Sequence, residues 1–562
     1  MVPPDPSTGK TRRLAREAAL IGLLALVINL AGNGRTGLWD RDEPRFAGCT
    51  REMRERGDWL RPTFNGEPRY HKPILIYWLM RAGLALGGDN PFGARLVSAF
   101  AGAATCLLVW GLGRGMLGPG AGRMAALMLA TVPIMVVNAK LATTDATLAL
   151  LVIGAQAALW GLNQRESPGM AAAFWACMGL ATLTKGPVGP AIVAASGVAS
   201  WWWGGPSACW RRLHWKRGLA GFTLLVAPWF MAIGVASKWE FFRFALGTQG
   251  LGRLSTSIEQ HQGFPGYYLV STIATFYPWS ALLPAALLAA WTRRKVSPEL
   301  GFLLGWVVGP WFLLEIVPTK LFHYYLPAYP ACALLVAWLV EAVAGDVVSF
   351  RRWPLGRLGL GLLAFLGLGM TATLIAGVWA MPADWHVLRW PLLAIAATIG
   401  AGTFFALERF HQGATRPAAW GLIATWGLVL FTAGAWLFPA AEPFRISREV
   451  GESLARIVAS DGARPLTRDF RPPGVIYAAG RPVPPMPSRT GLIRLLQTEP
   501  VVVALLPTEY EAFRGDPRMQ LEVRKVIRGL NVEKLKQQTL MMTLIRRGTP
   551  SMAARGEGLQ VK

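Results

Sequence analysis

The chain has 562 residues, of which 53% are hydrophobic and only 16% are charged. A soluble protein of this length needs roughly 25% charged residues to cover its surface, so the composition excludes a disordered chain, a collagen-like fibre and a secreted disulfide scaffold, and it indicates a polytopic membrane protein. The 57 Lys and Arg outnumber the 32 Asp and Glu by 25, which predicts an anionic partner, and in so apolar a chain lipid is favoured over nucleic acid.

The first apolar run, at about 14–32, follows several basic residues and resembles a signal-peptide core. No small-x-small cleavage site clearly follows it and many more apolar runs do, so we interpret it as a retained span with its N-terminus in the cytoplasm. Runs long enough to cross about 30 Å of hydrocarbon continue along the chain. The thirteen predicted spans are 14–32, 92–113, 122–138, 145–162, 169–183, 186–203, 218–237, 267–291, 298–317, 321–345, 356–380, 388–407 and 418–439.

The apolar run from Pro73 to Gly87 is about 15 residues long and is interrupted by Arg81. If this run does not cross the membrane, at least 17 Lys and Arg fall in cytoplasmic connections and only six fall in the short outer connections. If it does cross, every later loop changes sides, and the excess of Lys and Arg then falls on the outer face. The positive-inside rule therefore predicts a helix that lies at the interface on the outer face.

The connection between the first two spans, 33–91, is dense in charge and also contains Trp39, Trp59 and Trp78. A segment of this kind lies along the membrane surface, with aromatic rings in the headgroup layer and charges in water. The alternative is a solvated amphipathic loop without chemistry.

Further ionisable and aromatic residues fall on the same outer side of this topology. They are Asp145, Lys185, His261, Lys320, His323, Tyr324 and Tyr325. Ionisable groups at membrane depth are costly and tend to mark function. The alternatives are snorkelling or interhelical pairing for the charged groups, and an aromatic belt for the two tyrosines.

Thirteen crossings place the chain after about residue 440 outside the membrane. From 441 to 562, strand-like runs at 474–479 and 501–506 alternate with helix-like segments such as 448–460, a pattern that predicts a small α/β domain. This part has no cysteine, which suits an oxidising periplasm, and it has 20 Lys and Arg against 12 Asp and Glu. We therefore predict a transmembrane domain at 1–440, with 33–91 as its periplasmic loop, and a periplasmic domain at 441–562.

The sequence lacks a GxxxxGK[ST] phosphate loop, so an ATP-driven pump is disfavoured. It also lacks the HExxH motif of zinc metalloproteases. A secondary transporter usually places its charges near the bilayer midplane in broken helices, whereas here they gather at one face. An enzyme with a membrane lipid as substrate fits better. Without a nucleotide site, the energy of group transfer has to arrive in the substrate, for example in a sugar carried on a polyprenyl phosphate.

Six motifs occur in order along the membrane part. They are DEPR (42–45) with FAGCTREMRERGDWLRP after it, HKPILIYW (71–78), TTDATL (143–148), LTKGPVG (183–189), YYL…YPWSALLP (267–284) and KLFHYYLPAYPACALL (320–335). Together they resemble the lipid A 4-amino-4-deoxy-L-arabinose transferases, within the C-type glycosyltransferases that also include the protein O-mannosyltransferases. The resemblance covers little of 441–562. It departs from the family at His71, because the family often has Glu directly before the lysine that corresponds to Lys72 here. Histidine can replace a carboxylate as a metal ligand but not as an anion.

The resemblance implies that 4-amino-4-deoxy-L-arabinose is moved from undecaprenyl phosphate to a lipid A phosphate. It places the reaction at the periplasmic face of the bacterial inner membrane, where the product gives resistance to polymyxin and other cationic peptides. It implies a mostly α membrane protein with the C-type glycosyltransferase fold, which we expect to act as a monomer. Two alternatives stay open: a polyprenyl-phosphate-sugar transferase acting on protein or another lipid, and a polyprenyl-lipid transporter or flippase.

The resemblance also suggests roles for individual residues. An acceptor phosphate has no proton that must be removed, so deprotonation is a poor role for Asp42. We expect Asp42 and Asp145 to position the aminosugar or to hold a cation, and Lys72 to stabilise phosphate charge as the third catalytic residue. The predicted substrate-binding residues are Glu43, Arg45, Lys185, Lys320, Tyr324 and Tyr325. No cofactor is required by this reading, and a divalent metal is the one candidate, with His71, His261 and Glu67 as its ligands.

Overall fold

The structure is a computed structural model that describes residues 6–251, 263–345, 354–531, 534 and 536–548. Most of these residues are helical. Two compact units divide the described chain. The first comprises the described residues of Met1–Arg35, Trp59–Arg61 and Tyr70–Pro439, and the second those of Thr36–Asp58, Pro62–Arg69 and Ala440–Lys562.

Helices make up nearly all of the first unit. Its α-helices are Pro6–Leu30, Leu75–Gly87, Pro91–Leu117, Pro119–Ala130, Pro133–Lys140, Asp145–Gln164, Pro168–Lys185, Val188–Trp202, Ala208–Arg211, Trp215–Ala236, Glu240–Arg243, Tyr267–Thr275, Leu283–Arg293, Pro298–Ile316, Tyr329–Ala344, Pro354–Trp379, Arg389–His411 and Thr415–Thr432, and Phe438–Ala441 follows at its end. Its 3-10 and π segments are Phe244–Leu251, Trp279–Ala281, Phe322–Ala328, Ala383–Leu388 and Ala433–Leu437. Several α-helices begin with proline, whose missing N–H is no loss at that position.

In the described part of the chain, eight helices are long and apolar enough to cross a membrane. They are Pro91–Leu117, Asp145–Gln164, Trp215–Ala236, Pro298–Ile316, Phe322–Ala344, Pro354–Trp379, Ala383–His411 and Thr415–Phe444. A bent pair of helices raises the number to nine. The prediction of a mostly helical membrane protein is confirmed. Each of the thirteen predicted spans coincides with one helix or a consecutive set of helices, but the crossing of all thirteen stays a prediction.

The bent pair replaces one predicted span, 122–138, by two helices. Pro119–Ala130 and Pro133–Lys140 meet at an angle of 58°. Pro133 has no N–H to continue the helix, and its ring disfavours helical geometry at the residue before it. Val132 is accordingly extended, with φ −79° and ψ 124°. The apolar run alone did not reveal this break.

Close packing in the first unit depends on a small residue and on buried aromatic rings. A Cβ on Gly309 would lie 2.3 Å from the carbonyl oxygen of Ala195, so Pro298–Ile316 can approach Val188–Trp202 only without a side chain there. The fully buried Trp306 donates its indole N–H to the carbonyl of Pro327 at 3.0 Å. This bond fixes the irregular segment 322–328, which contributes to the site described below.

The second unit contains all six strands of the described residues. The strands are β1 (Thr63–Phe64), β2 (Glu67–Pro68), β3 (Arg464–Leu466), β4 (Val501–Leu505), β5 (Met519–Asn531) and β6 (Lys536–Arg547). The first two form a small antiparallel hairpin, and the others form a sheet in the order β3-β4-β6-β5, in which only β3 and β4 are parallel. The helices of this unit are Asp42–Glu55, Ile446–Asp461, Pro473–Ala479, Arg489–Leu495 and Pro507–Arg514, with a 3-10 turn at Glu442–Phe444.

Two features of the second unit differ from the sequence-based expectation. The run 474–479, predicted to be strand-like, is the helix Pro473–Ala479, because proline opens a helix well and a short apolar run does not distinguish helix from strand. The segments Thr36–Asp58 and Pro62–Arg69, which were assigned to the transmembrane domain, cluster with the C-terminal residues instead.

Candidate functional site

A cavity of about 440 Å³ opens in the first unit where the ends of several helices meet. Its size lies in the range of small-molecule and cofactor sites. The polar residues that line it are Tyr70, His71, Lys72, Asp145, Thr182, Lys185, Thr319, His323 and Tyr324. Its apolar wall includes Leu148, Val188, Phe230, Phe241, Phe242, Leu246, Leu314 and Leu326.

Helix ends place two of the charged residues in this cavity. Asp145 is the first residue of Asp145–Gln164, where the helix dipole favours a negative charge, and Lys185 is the last residue of Pro168–Lys185, where it favours a positive one. Gly186 follows with φ +66°, a conformation that side chains disfavour. It ends the helix and turns the chain beside the cavity.

An ion pair joins these two residues. The Lys185 ammonium lies 2.5 Å from a carboxylate oxygen of Asp145, and the side chains are only 9% and 12% exposed. The same ammonium lies 5.0 Å from the centre of the Tyr324 ring, a cation–π distance. Lys72 and His323 also interact electrostatically with Asp145. The predicted residues from three separate motifs therefore converge on one carboxylate.

The aromatic side of the cavity is held by ring contacts. The ring of Tyr70 packs edge-to-face on Phe241 at 5.9 Å, and Phe241 packs on Trp229 at 5.3 Å. His71 contacts Phe244 with ring centres 4.8 Å apart. Burial raises the pKa of the Tyr70 hydroxyl, and the charge of Glu240 raises it further. The hydroxyl therefore stays protonated at neutral pH and can donate a hydrogen bond.

This arrangement suits an amphipathic anion. The cavity brings together the ammonium groups of Lys72 and Lys185, the carboxylate of Asp145 and an apolar wall. Ammonium groups in a place with little water bind phosphate strongly, and an apolar wall accommodates a hydrocarbon chain.

Two of the predicted substrate-binding residues in the first unit, Lys320 and Tyr325, lie outside the wall of this cavity. Lys320 is 6% exposed, forms an ion pair with Glu315 and donates to the carbonyl of Phe264 at 3.3 Å. Tyr325 is 5% exposed and donates its hydroxyl to the carbonyl of Val307 at 2.7 Å. These contacts give both residues a packing role, and their binding of substrate stays a prediction.

The Glu315–Lys320 pair leads to a stability prediction. We expect Lys320→Met to lower the free energy of unfolding by about 3 kcal/mol, because the variant leaves the largely enclosed carboxylate of Glu315 without its ion-pair partner. The double variant Glu315→Leu/Lys320→Met is expected to recover only part of the loss, because the backbone N–H groups of Gly266 and Tyr268 then lose the carboxylate that accepts from them. Denaturation of the purified proteins in detergent measures both effects. A Lys320→Met protein that keeps its stability but loses substrate affinity would instead show a binding role.

Four further predicted residues belong to the second unit, namely Asp42, Glu43, Arg45 and Glu67. Asp42 opens the helix Asp42–Glu55, with its side chain 64% exposed, and lies 3.8 Å from the guanidinium of Arg45. Glu43 is buried and accepts the backbone N–H of Trp39 at 2.7 Å, so it fixes the turn before the helix. Glu67 lies in β2 and is exposed.

No metal site is evident in the part of the chain that the structure describes, where no group of three or more His, Cys, Asp or Glu is placed to hold an ion. Of the predicted ligands, His261 lies outside the described residues, and His71 and Glu67 belong to different units. The metal therefore stays a prediction, and no step of the reaction is assigned to it.

The apolar wall was missed by reasoning from sequence. Phe230 comes from the helix Trp215–Ala236, and Phe241 and Phe242 come from the short helix Glu240–Arg243 that follows it. The cluster of aromatic residues at 239–244 was a visible signal, but aromatic residues near a membrane surface more commonly form an interfacial belt.

Comparisons with known proteins reveal similar enzymes. The family model described as dolichyl-phosphate-mannose-protein mannosyltransferase matches residues 71–232. The undecaprenyl phosphate-alpha-4-amino-4-deoxy-L-arabinose arabinosyl transferase of Edwardsiella ictaluri is 30% identical over 411 residues, which cover 70% of this chain and 72% of that protein. Arabinosyl transferase 1 of Sodalis glossinidius is also 30% identical, over 73% of this chain and 74% of that protein.

The solved structures show a shared fold. ArnT from Cupriavidus metallidurans bound to undecaprenyl phosphate superposes with a TM-score of 0.73 at 21% identity, covering 93% of this chain and 97% of that one. The same protein in the apo state also superposes with a TM-score of 0.73, over 95% of this chain and 98% of that one. The similarity therefore extends over both units.

Proposed function

Because the chain belongs to the family of undecaprenyl phosphate-α-4-amino-4-deoxy-L-arabinose arabinosyl transferases, we propose that it transfers 4-amino-4-deoxy-L-arabinose from undecaprenyl phosphate to a phosphate of lipid A. It is a membrane glycosyltransferase with a lipid-linked donor. The observation that carries the proposal within the molecule is the cavity that joins Lys72, Asp145 and Lys185 to an apolar wall. An isoprenoid phosphate has the same division into an anionic head and a hydrocarbon chain.

In the proposed reaction, Lys72 and Lys185 hold the phosphate of the donor, and the phenylalanine wall holds the first part of its isoprenoid chain. A phosphate oxygen of lipid A attacks the anomeric carbon of the sugar and forms the new C–O bond. The C–O bond to undecaprenyl phosphate breaks, and its electron pair leaves with that phosphate. The two ammonium groups stabilise the leaving charge. No proton has to be removed from the acceptor.

The carboxylates have a positioning role in this scheme. Asp145 lies beside the ammonium of Lys185, where it can also attract the ammonium group of the aminosugar and orient the anomeric carbon. Asp42, which is exposed at the start of its helix, is proposed to orient the sugar or the acceptor. Holding reactants in a productive geometry supplies a large part of the barrier reduction.

The proposal also includes the arrangement in the membrane. Thirteen helices would cross the inner membrane, and the cavity, the loop 33–91 and the α/β domain at 441–562 would face the periplasm. The distribution of Lys and Arg supports this orientation. A monomer is sufficient for the scheme, because the three charged residues of the cavity come from one chain.

Mass spectrometry of lipid A tests the proposal. Cells that express the gene under inducing conditions should contain lipid A with a mass increment of one pentosamine, and deletion of the gene should remove it and make the cells sensitive to polymyxin. A sugar found on protein or on another lipid would support a different acceptor. Vesicle transport of a polyprenyl lipid without any covalent product would support a flippase.

A further inference from the structure

Residues at the start of the C-terminal region hold the loop that precedes Asp42. The guanidinium of Arg445 donates to the carbonyls of Gly37 at 3.3 Å and Leu38 at 2.6 Å. It also lies 4.0 Å from the centre of the Trp39 ring. Three consecutive residues of the loop are therefore bound by one side chain that follows them by about 400 residues.

Arg445 is itself fixed in place. It is 7% exposed and forms an ion pair with Glu442 at 2.7 Å. The other carboxylate oxygen of Glu442 accepts the N–H of Gly37 at 2.9 Å. The backbone of Arg445 also bridges to Leu530 at the end of β5. A buried guanidinium with this many partners has a single orientation, because any other would leave its charge unpaired.

A second set of contacts holds the residues on either side of Asp42. Asp40 accepts the N–H of Gly474 at 2.6 Å, and a Cβ on Gly474 would lie 2.4 Å from that oxygen. Burial raises the pKa of Asp40, and hydrogen bonds from Ser447 and Gly474 oppose the rise. Arg51 donates to the carbonyl of Tyr477 at 2.8 Å and stacks on its ring.

We infer that Arg445 is a positioning residue for transfer: it holds the segment 37–39 so that Asp42 and Arg45 are presented in one orientation. This inference rests on the proposed function. It assigns a task to the C-terminal region, namely to order the loop that carries the DEPR motif. The helix Asp42–Glu55 begins three residues after Trp39, so there is little chain in which a displacement of the loop could be absorbed.

Limited proteolysis tests the ordering without any transfer assay. Arg41 is exposed, but trypsin needs the chain around its target to unfold locally, so cleavage reports how often the loop opens. We expect Arg445→Ala in the full-length purified protein to be cut after Arg41 about tenfold faster than the wild type. A tenfold change corresponds to destabilising the closed state of the loop by about 1.4 kcal/mol. Arg445→Lys keeps the positive charge but lacks the planar guanidinium with its several N–H donors, so its rate of cleavage should be intermediate.

Arg456→Ala is the matched control, because Arg456 is exposed on the same helix, Ile446–Asp461, and donates to Ser453 within it. It should be cut at the wild-type rate. If Arg445→Ala accumulates too poorly for study, Arg445→Lys makes the same comparison. Unchanged cleavage after Arg41 in the Arg445 variants would overturn the inference.

Kinetics of transfer separate positioning from general stability. We expect kcat of Arg445→Ala to fall by about 10²-fold, as for a small misplacement of reacting groups, while KM for the lipid-linked donor stays within about twofold. A rise in donor KM as large as the fall in kcat would contradict a positioning role. If the wild type transfers no aminosugar, the proposed function fails, and the proteolysis result still decides whether Arg445 orders the loop.

Discussion

Lys72→Ala is expected to lower the rate of aminosugar transfer by about 10²- to 10³-fold, the usual loss when one group that stabilises developing charge is removed from an active site. Lys72 lines the same cavity as the Asp145–Lys185 pair. Without Lys72, a phosphate of the donor bound there would face one carboxylate and only one ammonium group. Lys72→Arg should retain part of the activity, because it keeps the charge but changes its shape and reach. Initial rates with purified protein and lipid-linked donor measure the effect.

Lys295→Ala serves as the control for this variant. Lys295 is exposed in the connection after Leu283–Arg293, so its removal changes the net charge equally without touching the cavity. It should leave transfer and polymyxin resistance unchanged. Full polymyxin resistance of cells that carry Lys72→Ala at a normal protein level would show that transfer does not depend on Lys72.

Asp145→Asn is expected to reduce transfer by about 10²-fold, because an amide of nearly the same shape cannot attract the ammonium of the aminosugar or balance the charge of Lys185. The Lys185→Met variant should lose activity as well. The double variant should lose little more than either single one, since residues that act as a unit are not additive. A full double-mutant cycle of initial rates makes this comparison.

Asp384→Asn is the matched control for the carboxylate. Asp384 is exposed in the 3-10 segment Ala383–Leu388, and its substitution should leave transfer unchanged. Elution of each variant from size-exclusion chromatography as a single folded species separates loss of chemistry from loss of fold. Losses that multiply in the double variant would show that Asp145 and Lys185 act independently.

Much of the fold could be predicted from the sequence because a membrane-spanning helix is a local property. About twenty consecutive apolar residues indicate a helix wherever they occur, and the predicted spans coincide with helices of the structure. Breaks inside an apolar run were harder to predict, as Pro133 shows, because both halves of the run are apolar although the helix axis changes direction between them.

Part of the candidate site was also predictable. Lys72, Asp145, Lys185 and Tyr324 were selected from four separate motifs, and they line one cavity. Lys320 was selected for the same reason, as an ionisable group at membrane depth, and it is paired with Glu315 instead. The two cases cannot be distinguished along the chain, because the difference lies in which partner each ammonium finds.

The sequence by itself determined the membrane class, the positions of the apolar helices and, through its motifs, the family of the chain. Only the tertiary structure decided which charged residues meet in the cavity, which serve packing, and that the loop before Asp42 is held by Arg445, more than 400 residues later. The physical reason is that hydrophobic patterning acts between neighbours in the chain, whereas the pairing of a buried charge depends on whichever group the fold brings within a few ångströms of it.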